Sequence, residues 1–281
     1  MNTAPSENLA ASAESDSPFP STWECFLAAI QFLTRIPVTL VPDQSSAYYE
    51  LALQRGVLFF PVVGGLIGGF TAILFFAASQ MGLSALVAAL LAVGIEALLT
   101  GAFHEDAFAD TCDALGGGWS RERVLEIMKD SRLGTYGTLG LVIGVGLRVT
   151  TMAALIPTGW SWTLATIVAA STLGRLAIIG MMVTTQPVTD RKSQANNVSA
   201  NQTQQTFLFA LFLSFPFLIS WLWSNLLASM TAIAVSLVVL WWFRGKIMRR
   251  VGGTTGDLLG SCGFLIQLVV QVTSTGNCFH G

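Results

Sequence analysis

The chain has 281 residues, of which 11% are charged and 53% hydrophobic, and its mean hydropathy is +0.64. A soluble domain carries about 25% charged residues, so this composition excludes a soluble enzyme, a nucleic-acid-binding protein and a disordered chain. The net charge of -2 gives no sign of a polyanionic partner. We therefore expect an all-α, polytopic protein embedded in membrane lipid.

The N-terminal segment differs in composition from the rest of the chain. Residues 1–20 are rich in Ala, Ser, Glu and Pro without apolar periodicity, which predicts a disordered tail. Residues 21–281 are then predicted to form a single transmembrane domain. Residues 23–40 are apolar but interrupted by charges and by Pro37, which favours an interfacial or re-entrant helix over a span.

Seven later stretches are apolar enough to cross a membrane, which takes about 20 residues. They are residues 56–79, 83–103, 135–156, 161–184, 207–224, 226–243 and 258–275. Within them, the pairs Gly64/Gly68 and Gly140/Gly144 have the four-residue spacing that is typical of close helix packing in membranes.

The positions of Lys and Arg support this count of spans. Twelve of the 14 lie before the first span or in the loops after the second, fourth and sixth, and none lies in the intervening loops. Because cytoplasmic loops carry the excess of Lys and Arg, the N-terminus and the long loops are predicted to be cytoplasmic. The protein is thus expected in the bacterial cytoplasmic (inner) membrane.

Three charged residues lie inside the predicted spans, namely Glu96, Arg148 and Arg175. Intramembrane charges are costly and face a polar interior. Either arginine is a candidate for binding a phosphate in a central cavity, or Glu96 pairs with one of them. The sequence leaves both interpretations open.

The most informative segment is acidic and follows the second span. Asp106, Asp110 and Asp113 have the spacing i, i+4, i+7, which places them on one face of a helix. Carboxylates without Cys or His suit Mg²⁺ or Mn²⁺, so all three are predicted metal ligands, on a helix that is expected to continue the second span. The alternative is an exposed acidic face whose repulsion is relieved by nearby arginines.

Two neighbours of this stripe point away from it on an ideal helix. His104 is a candidate general base, or a candidate hydrogen-bond donor to a phosphate. Alternatively, it is a polar residue that anchors the helix end at the membrane interface. Glu105 is predicted to be solvated.

Two further segments are candidates for phosphate binding. The first contains Lys129, Ser131 and Arg132; its alternative interpretation is a basic cluster attracted to anionic lipid headgroups. The second is a glycine-rich loop before the last span. Its candidate phosphate-binding residues are Arg250, Gly253 and Thr255, and its Asp257 is a candidate metal ligand or a helix cap.

Five segments together resemble the cobalamin synthases (adenosylcobinamide-GDP ribazoletransferases), and they occur in that family's order. In chain order they are 35–37 (within TRIP in the family), 60–69 (FxPxVGxxIG), 104–113 (HLDGLADTxDG), 127–135 (IMKDSRxGT) and 252–257 (GGxTGD). The chain departs from the third motif at Glu105, where the family has Leu, and at Ala107 and Ala114, where it has Gly. None of the three aspartates is lost.

The resemblance implies a membrane-integral, Mg²⁺-dependent phosphotransferase. Its substrates would be adenosylcobinamide-GDP and α-ribazole or its 5′-phosphate, and its products GMP and adenosylcobalamin or its 5′-phosphate. Asp106, Asp110 and Asp113 would hold Mg²⁺, Lys129 and Arg132 would bind phosphate, and one Asp or His104 would accept the hydroxyl proton. Phosphoryl transfer of this kind requires no covalent nucleophile.

Two other functions are compatible with a polytopic chain that has an acidic edge. A CDP-alcohol phosphotransferase also uses helical aspartates, but its DGxxAR…GxxxDxxxD pattern is missing here. A transporter would place ionisable residues near the bilayer midplane and show repeat symmetry, whereas the acids here collect at one edge.

Overall fold

The computed structural model describes residues 19–38, 46–188, 197–199 and 201–276. Within these ranges the chain is helical, and its only extended pairing is a parallel bridge between Pro187 and Thr254. The helices are α1 (Thr22–Leu33), α2 (Ser46–Gly56), α3 (Phe60–Gln80), α4 (Ala85–Thr100), α5 (Phe103–Gly117), α6 (Arg121–Ile127), α7 (Thr135–Leu155), α8 (Trp160–Thr184), α9 (Gln204–Ser224), α10 (Leu226–Arg250) and α11 (Gly256–Thr275). Nearly all of the predicted disordered tail lies outside the described residues.

Among the described residues, six helical segments are long and apolar enough to cross a membrane. They are Ala47–Gln80, Thr135–Thr158, Trp160–Thr184, Gln204–Ser224, Leu226–Arg250 and Gly256–Thr275. A seventh exists if α4 and α5 are counted as one bent span, since α4 has 16 residues and measures only about 24 Å. The predicted all-α, polytopic architecture is confirmed.

The predicted continuity between the second span and the acidic helix is wrong. The chain breaks at Gly101 and Ala102, which both have positive φ, +72° and +55°, and α5 leaves α4 at an angle of 91°. Arg35 stabilises the break, because its backbone N–H donates to the Leu99 carbonyl at 2.7 Å and its guanidinium lies against Gly101. The acidic helix therefore runs almost perpendicular to α4.

Gly101 is the residue on which this break depends most directly. A Cβ there would overlap the Arg35 guanidinium and would adopt a left-handed conformation that costs an L-residue about 1–2 kcal/mol. We expect Gly101→Ala to lower the free energy of unfolding in detergent by at least that amount. Gly94→Ala is the matched control, because that site on α4 has open space around it; equal stability of the two variants would contradict this description of the break.

The centre of the bundle is formed by α8, which packs against α3, α9 and α11. The predicted packing role of the glycine pairs is confirmed. Gly64 and Gly68 of α3 face Ser171 of α8, and a Cβ on either would come within 3 Å of that residue. In the same way, Gly140 of α7 makes room for Cys112 of α5, and Gly144 makes room for Phe264 of α11.

The N-terminal helix α1 has 12 residues and begins with a capping box between Ser21 and Glu24. It is too short to cross a membrane, in agreement with the sequence prediction. Its position at the membrane interface stays a prediction.

Candidate functional site

Three segments meet at one end of the bundle, and they consist mainly of loops predicted to be cytoplasmic. We call residues 101–134, 185–188 and 251–257 the loop face. The Val188 N–H donates to the Thr254 carbonyl at 2.9 Å, and the Arg121 Nε donates to the Val251 carbonyl at 2.8 Å. Residues that are far apart in sequence are thereby joined into one surface.

Helix α5 lies within this face with its small residues turned inward. Ala107, Thr111 and Ala114 are buried, and Ala107 faces Gly260 of α11. The acidic stripe lies on the other side of the helix, where Asp106 is exposed and Asp110 is half-buried. The predicted common face of the aspartates is therefore present and open to solvent at Asp106.

Asp113, the third residue of the stripe, has a different role from the other two. Its carboxylate accepts the backbone N–H groups of Gly134 at 2.7 Å and of Gly137 at 2.8 Å. Gly134 is the N-cap of α7 and has no side chain to cap the helix itself, so Asp113 supplies the cap. One predicted metal ligand thus holds α5 to the first turn of α7.

A substitution at Gly137 tests whether Asp113 caps α7. A Cβ on Gly137 would overlap the Asp113 carboxylate, so Gly137→Ala must displace α5 or α7 at a cost of about 1–3 kcal/mol. We expect a lower melting temperature in detergent. Gly146→Ala, on the same helix but without a neighbour within 4 Å, should melt like the wild type, and a Gly137→Ala variant of undiminished stability would rule out the cap.

The residues of the stripe fit a hard divalent cation that is bound by one or two carboxylates, and they do not form a site with three or more protein ligands. Among the described residues there is no group of three or more His, Cys, Asp or Glu side chains placed to hold a metal. Mg²⁺ often takes only one or two carboxylates and completes its shell with water and phosphate. Asp106 and Asp110 provide two carboxylates of this kind. Asp257 lies close to the same helix, since the Thr111 hydroxyl is 3.5 Å from its carbonyl oxygen.

The first predicted phosphate-binding segment lies on the loop face and is accessible. Lys129, Ser131 and Arg132 are all exposed. The Arg132 guanidinium donates to both oxygens of Asp130, with Nη2 at 2.7 Å from Oδ2. These hydrogen bonds lower the pKa of the Asp130 carboxyl to about 2, so Asp130 is ionised at neutral pH and orients the Arg132 guanidinium.

The second segment mainly joins elements of the fold. Arg250 donates to the carbonyls of Leu115 and Gly118 at the end of α5. Gly253 packs tightly against the Gln186 carbonyl, and the Thr255 hydroxyl caps α11 by accepting the Leu258 N–H at 3.3 Å. These three predicted phosphate-binding residues therefore shape the loop face through contacts within the protein.

The two intramembrane arginines lie deep in the bundle. Arg148 is 0% exposed and binds Glu96 at 2.6 Å and Glu105 at 3.0 Å. Of the two interpretations that the sequence left open, the structure shows the ion pair with Glu96. Arg175 is 1% exposed and donates to Gln267 at 2.8 Å.

The prediction that Glu105 is solvated is wrong, because its side chain lies in the interior and binds Arg148. The signal in the sequence was the charge balance: two arginines and one glutamate within the spans leave one cation without a partner, and an unpaired buried charge is costly.

His104 lies on the buried side of α5, away from Asp106. It is 2% exposed, and within the described residues neither ring nitrogen has a hydrogen-bond partner. Its ring packs edge-on against Phe103. The structure thus places this candidate base in the bundle interior and separates it from the acidic stripe.

Comparison with known proteins gives a consistent result. The sequence profile of the cobalamin-5-phosphate synthase family matches residues 25–275. A protein of Shewanella amazonensis named adenosylcobinamide-GDP ribazoletransferase is 36% identical over 91% of this chain and 96% of its own length. Proteins of the same name from Vibrio cholerae and Bradyrhizobium diazoefficiens are 35% and 37% identical over 89% and 83% of this chain, and cover 92% and 86% of their own lengths. No solved structure matches the chain significantly.

Proposed function

Because the chain belongs to the cobalamin-5-phosphate synthase family, we propose that it is an adenosylcobinamide-GDP ribazoletransferase. It transfers the adenosylcobinamide-phosphate moiety of adenosylcobinamide-GDP to α-ribazole or α-ribazole 5′-phosphate and releases GMP. The structural observation that carries the proposal is the acidic stripe of α5, open at Asp106, on the same face as the exposed cations Lys129 and Arg132. Opposite charges on one surface suit a substrate that binds as a metal–pyrophosphate complex.

The reaction forms one phosphorus–oxygen bond and breaks another. A hydroxyl oxygen of α-ribazole attacks the phosphorus on the corrinoid side of the pyrophosphate, the bond from that phosphorus to the bridging oxygen breaks, and GMP leaves with the bridging oxygen. The hydroxyl proton passes to a base. Such a step depends mainly on positioning and on neutralisation of charge.

Asp106 and Asp110 are the residues that we propose hold Mg²⁺, with Asp257 as a further candidate at the start of α11. When bound, the ion supplies charge neutralisation of the pyrophosphate oxygens. Asp113 acts differently: by capping α7 it fixes the segment that carries Arg132. Asp106 and Asp110 are also the candidates for the proton acceptor, since His104 faces the interior.

Lys129 and Arg132 are proposed to bind the phosphates. Arg132 is 86% exposed at its side chain and its planar guanidinium suits paired hydrogen bonds to phosphate oxygens, while Lys129 contributes a point charge. Arg250, Gly253 and Thr255 support this surface from below by holding the end of α5 and the start of α11.

We further propose that the loop face is cytoplasmic and that the protein resides in the inner membrane. The support is the one-sided distribution of Lys and Arg, which the structure complements by joining those loops into one surface. Substrates then reach the site from the cytoplasm without crossing the bilayer.

The proposal is tested with the full chain purified in detergent or in liposomes. Adenosylcobinamide-GDP, α-ribazole and Mg²⁺ are supplied, and GMP and the corrinoid product are identified by chromatography and mass. We expect both products in equal amounts, and neither when Mg²⁺ is chelated. Absence of products from folded protein with either ribazole substrate would refute the proposal, and release of CMP from a CDP-alcohol would favour the alternative family.

A further inference from the structure

One arginine contacts both sides of the break that sets the direction of the acidic helix. Arg148 of α7 donates from Nη2 to Glu96, in the last turns of α4, and from Nη1 to Glu105, in the first turn of α5. The three side chains are 1%, 3% and 11% exposed. The positive-φ residues Gly101 and Ala102 lie between the two carboxylates in sequence.

The two hydrogen bonds of Arg148 restrain the angle between α4 and α5. A guanidinium is planar and its two terminal nitrogens have a fixed separation, so two carboxylates bound to them cannot move independently. Glu96 is fixed a second time, because the Thr71 hydroxyl of α3 donates to the same oxygen at 2.7 Å. Glu105 is adjacent to Asp106 and therefore moves with it.

We propose that Arg148 is a positioning residue that sets the angle between α4 and α5, and with it the place of Asp106 and Asp110 on the loop face. Its catalytic consequence rests on the proposed function; the angle itself does not. Leu stands at the position of Glu105 in the motif that the chain resembles, and it has no group that binds a guanidinium. The second anchor is therefore one of this chain's departures from that motif.

Substitutions of Glu105 test the proposal without leaving Arg148 unpaired, since Glu96 remains bound to it. We expect Glu105→Leu to lower kcat about tenfold and to leave the KM for α-ribazole unchanged. A misplacement of reacting groups by about 1 Å can cost about 100-fold, and the bond from Arg148 to Glu96 that remains should keep the displacement smaller than that. Glu105→Gln keeps an acceptor oxygen for Arg148 and should lose less.

A distance measurement tests the angle directly. Spin labels are attached to cysteines at Leu90 on α4 and Gly117 on α5, which are both exposed, in a chain whose own cysteines are replaced by alanine. Double electron–electron resonance should give a narrow distance distribution that shifts or broadens in Glu105→Leu and changes less in Glu105→Gln. Thr172→Val is the control, because it removes a buried hydroxyl whose hydrogen bond, to the Val168 carbonyl, stays within α8; it should keep both the distance and kcat.

The outcomes are distinguishable. An unchanged distance distribution in Glu105→Leu overturns the positioning role, whether activity falls or not, and an equal change in Thr172→Val does the same by showing general loosening. A changed distance in a protein that makes no GMP even as wild type refutes the proposed function and leaves the role of Arg148 in setting the angle supported.

Discussion

Replacing Asp106 or Asp110 by Asn is expected to lower the rate of GMP release by roughly 100- to 1,000-fold, as removal of one preorganised electrostatic group from an active site does. Asn has nearly the same shape as Asp but lacks the charge that binds a hard cation. Because Asp106 is exposed, its replacement should leave the fold intact. Initial rates at saturating substrate, measured over a range of Mg²⁺ concentrations, are the test.

Asp113 provides the comparison. Asp113→Asn retains one carbonyl oxygen for two backbone donors, so we expect its main effect to be a lower melting temperature, with an unaltered Mg²⁺ requirement in the protein that stays folded. Full activity in both Asp106→Asn and Asp110→Asn would refute the assignment of these residues to the metal.

Arg148→Met is expected to have the largest effect on stability. It leaves Glu96 and Glu105 buried without their common partner, and breaking a buried ion pair from one side costs about 3–5 kcal/mol. The yield of folded protein in detergent and its midpoint of denaturation should both fall sharply. A variant as stable as the wild type would show that the carboxylates are solvated and would contradict the buried triad.

A double variant distinguishes the effect of the excess buried negative charge from the effect of losing the Arg148 side chain itself. The wild-type interior balances Glu96 and Glu105 with Arg148 and Arg175, and Arg148→Met leaves one excess negative charge. Glu105→Leu combined with Arg148→Met restores the balance, with Glu96 and Arg175 remaining, and buried ion pairs are often replaced by apolar residues without loss. We therefore expect the double variant to be more stable than Arg148→Met alone.

The membrane architecture could be predicted from sequence because it depends on local properties. Span length, hydropathy and the one-sided distribution of cations each follow from a short window of residues, and six of the seven predicted stretches correspond to helices of spanning length. The second, 83–103, does not, because it ends in the break at Gly101 and Ala102. A left-handed alanine has no signature in a sequence, since its conformation is imposed by surrounding contacts such as those of Arg35.

The roles of the site residues depend on contacts with residues far apart in the chain. A helical wheel shows only one helix and does not contain these contacts. On the wheel, Asp106, Asp110 and Asp113 are equivalent. In the structure Asp113 differs because the amides of Gly134 and Gly137, more than 20 residues away, meet its carboxylate. The same holds for Glu105, whose partner lies 43 residues further on.

The departures from the family motif have local explanations. Ala107 replaces a glycine of that motif, and its methyl group faces Gly260, where any side chain would collide with it. Ala114, which also stands for a glycine, is 0% exposed and packs in the main apolar core. Glu105 is matched by Arg148. These replacements change the interior side of α5 and leave the exposed acidic side unaltered.

The central claim is that Asp106 and Asp110 hold a divalent cation against the pyrophosphate of the substrate. Its most direct test uses Mn²⁺ in place of Mg²⁺ and measures, by electron–nuclear double resonance, the coupling of the bound ion to ³¹P of adenosylcobinamide-GDP. We predict that the wild-type protein shows this coupling and that the Asp106→Asn, Asp110→Asn double variant does not. Equal coupling in both proteins would contradict the account.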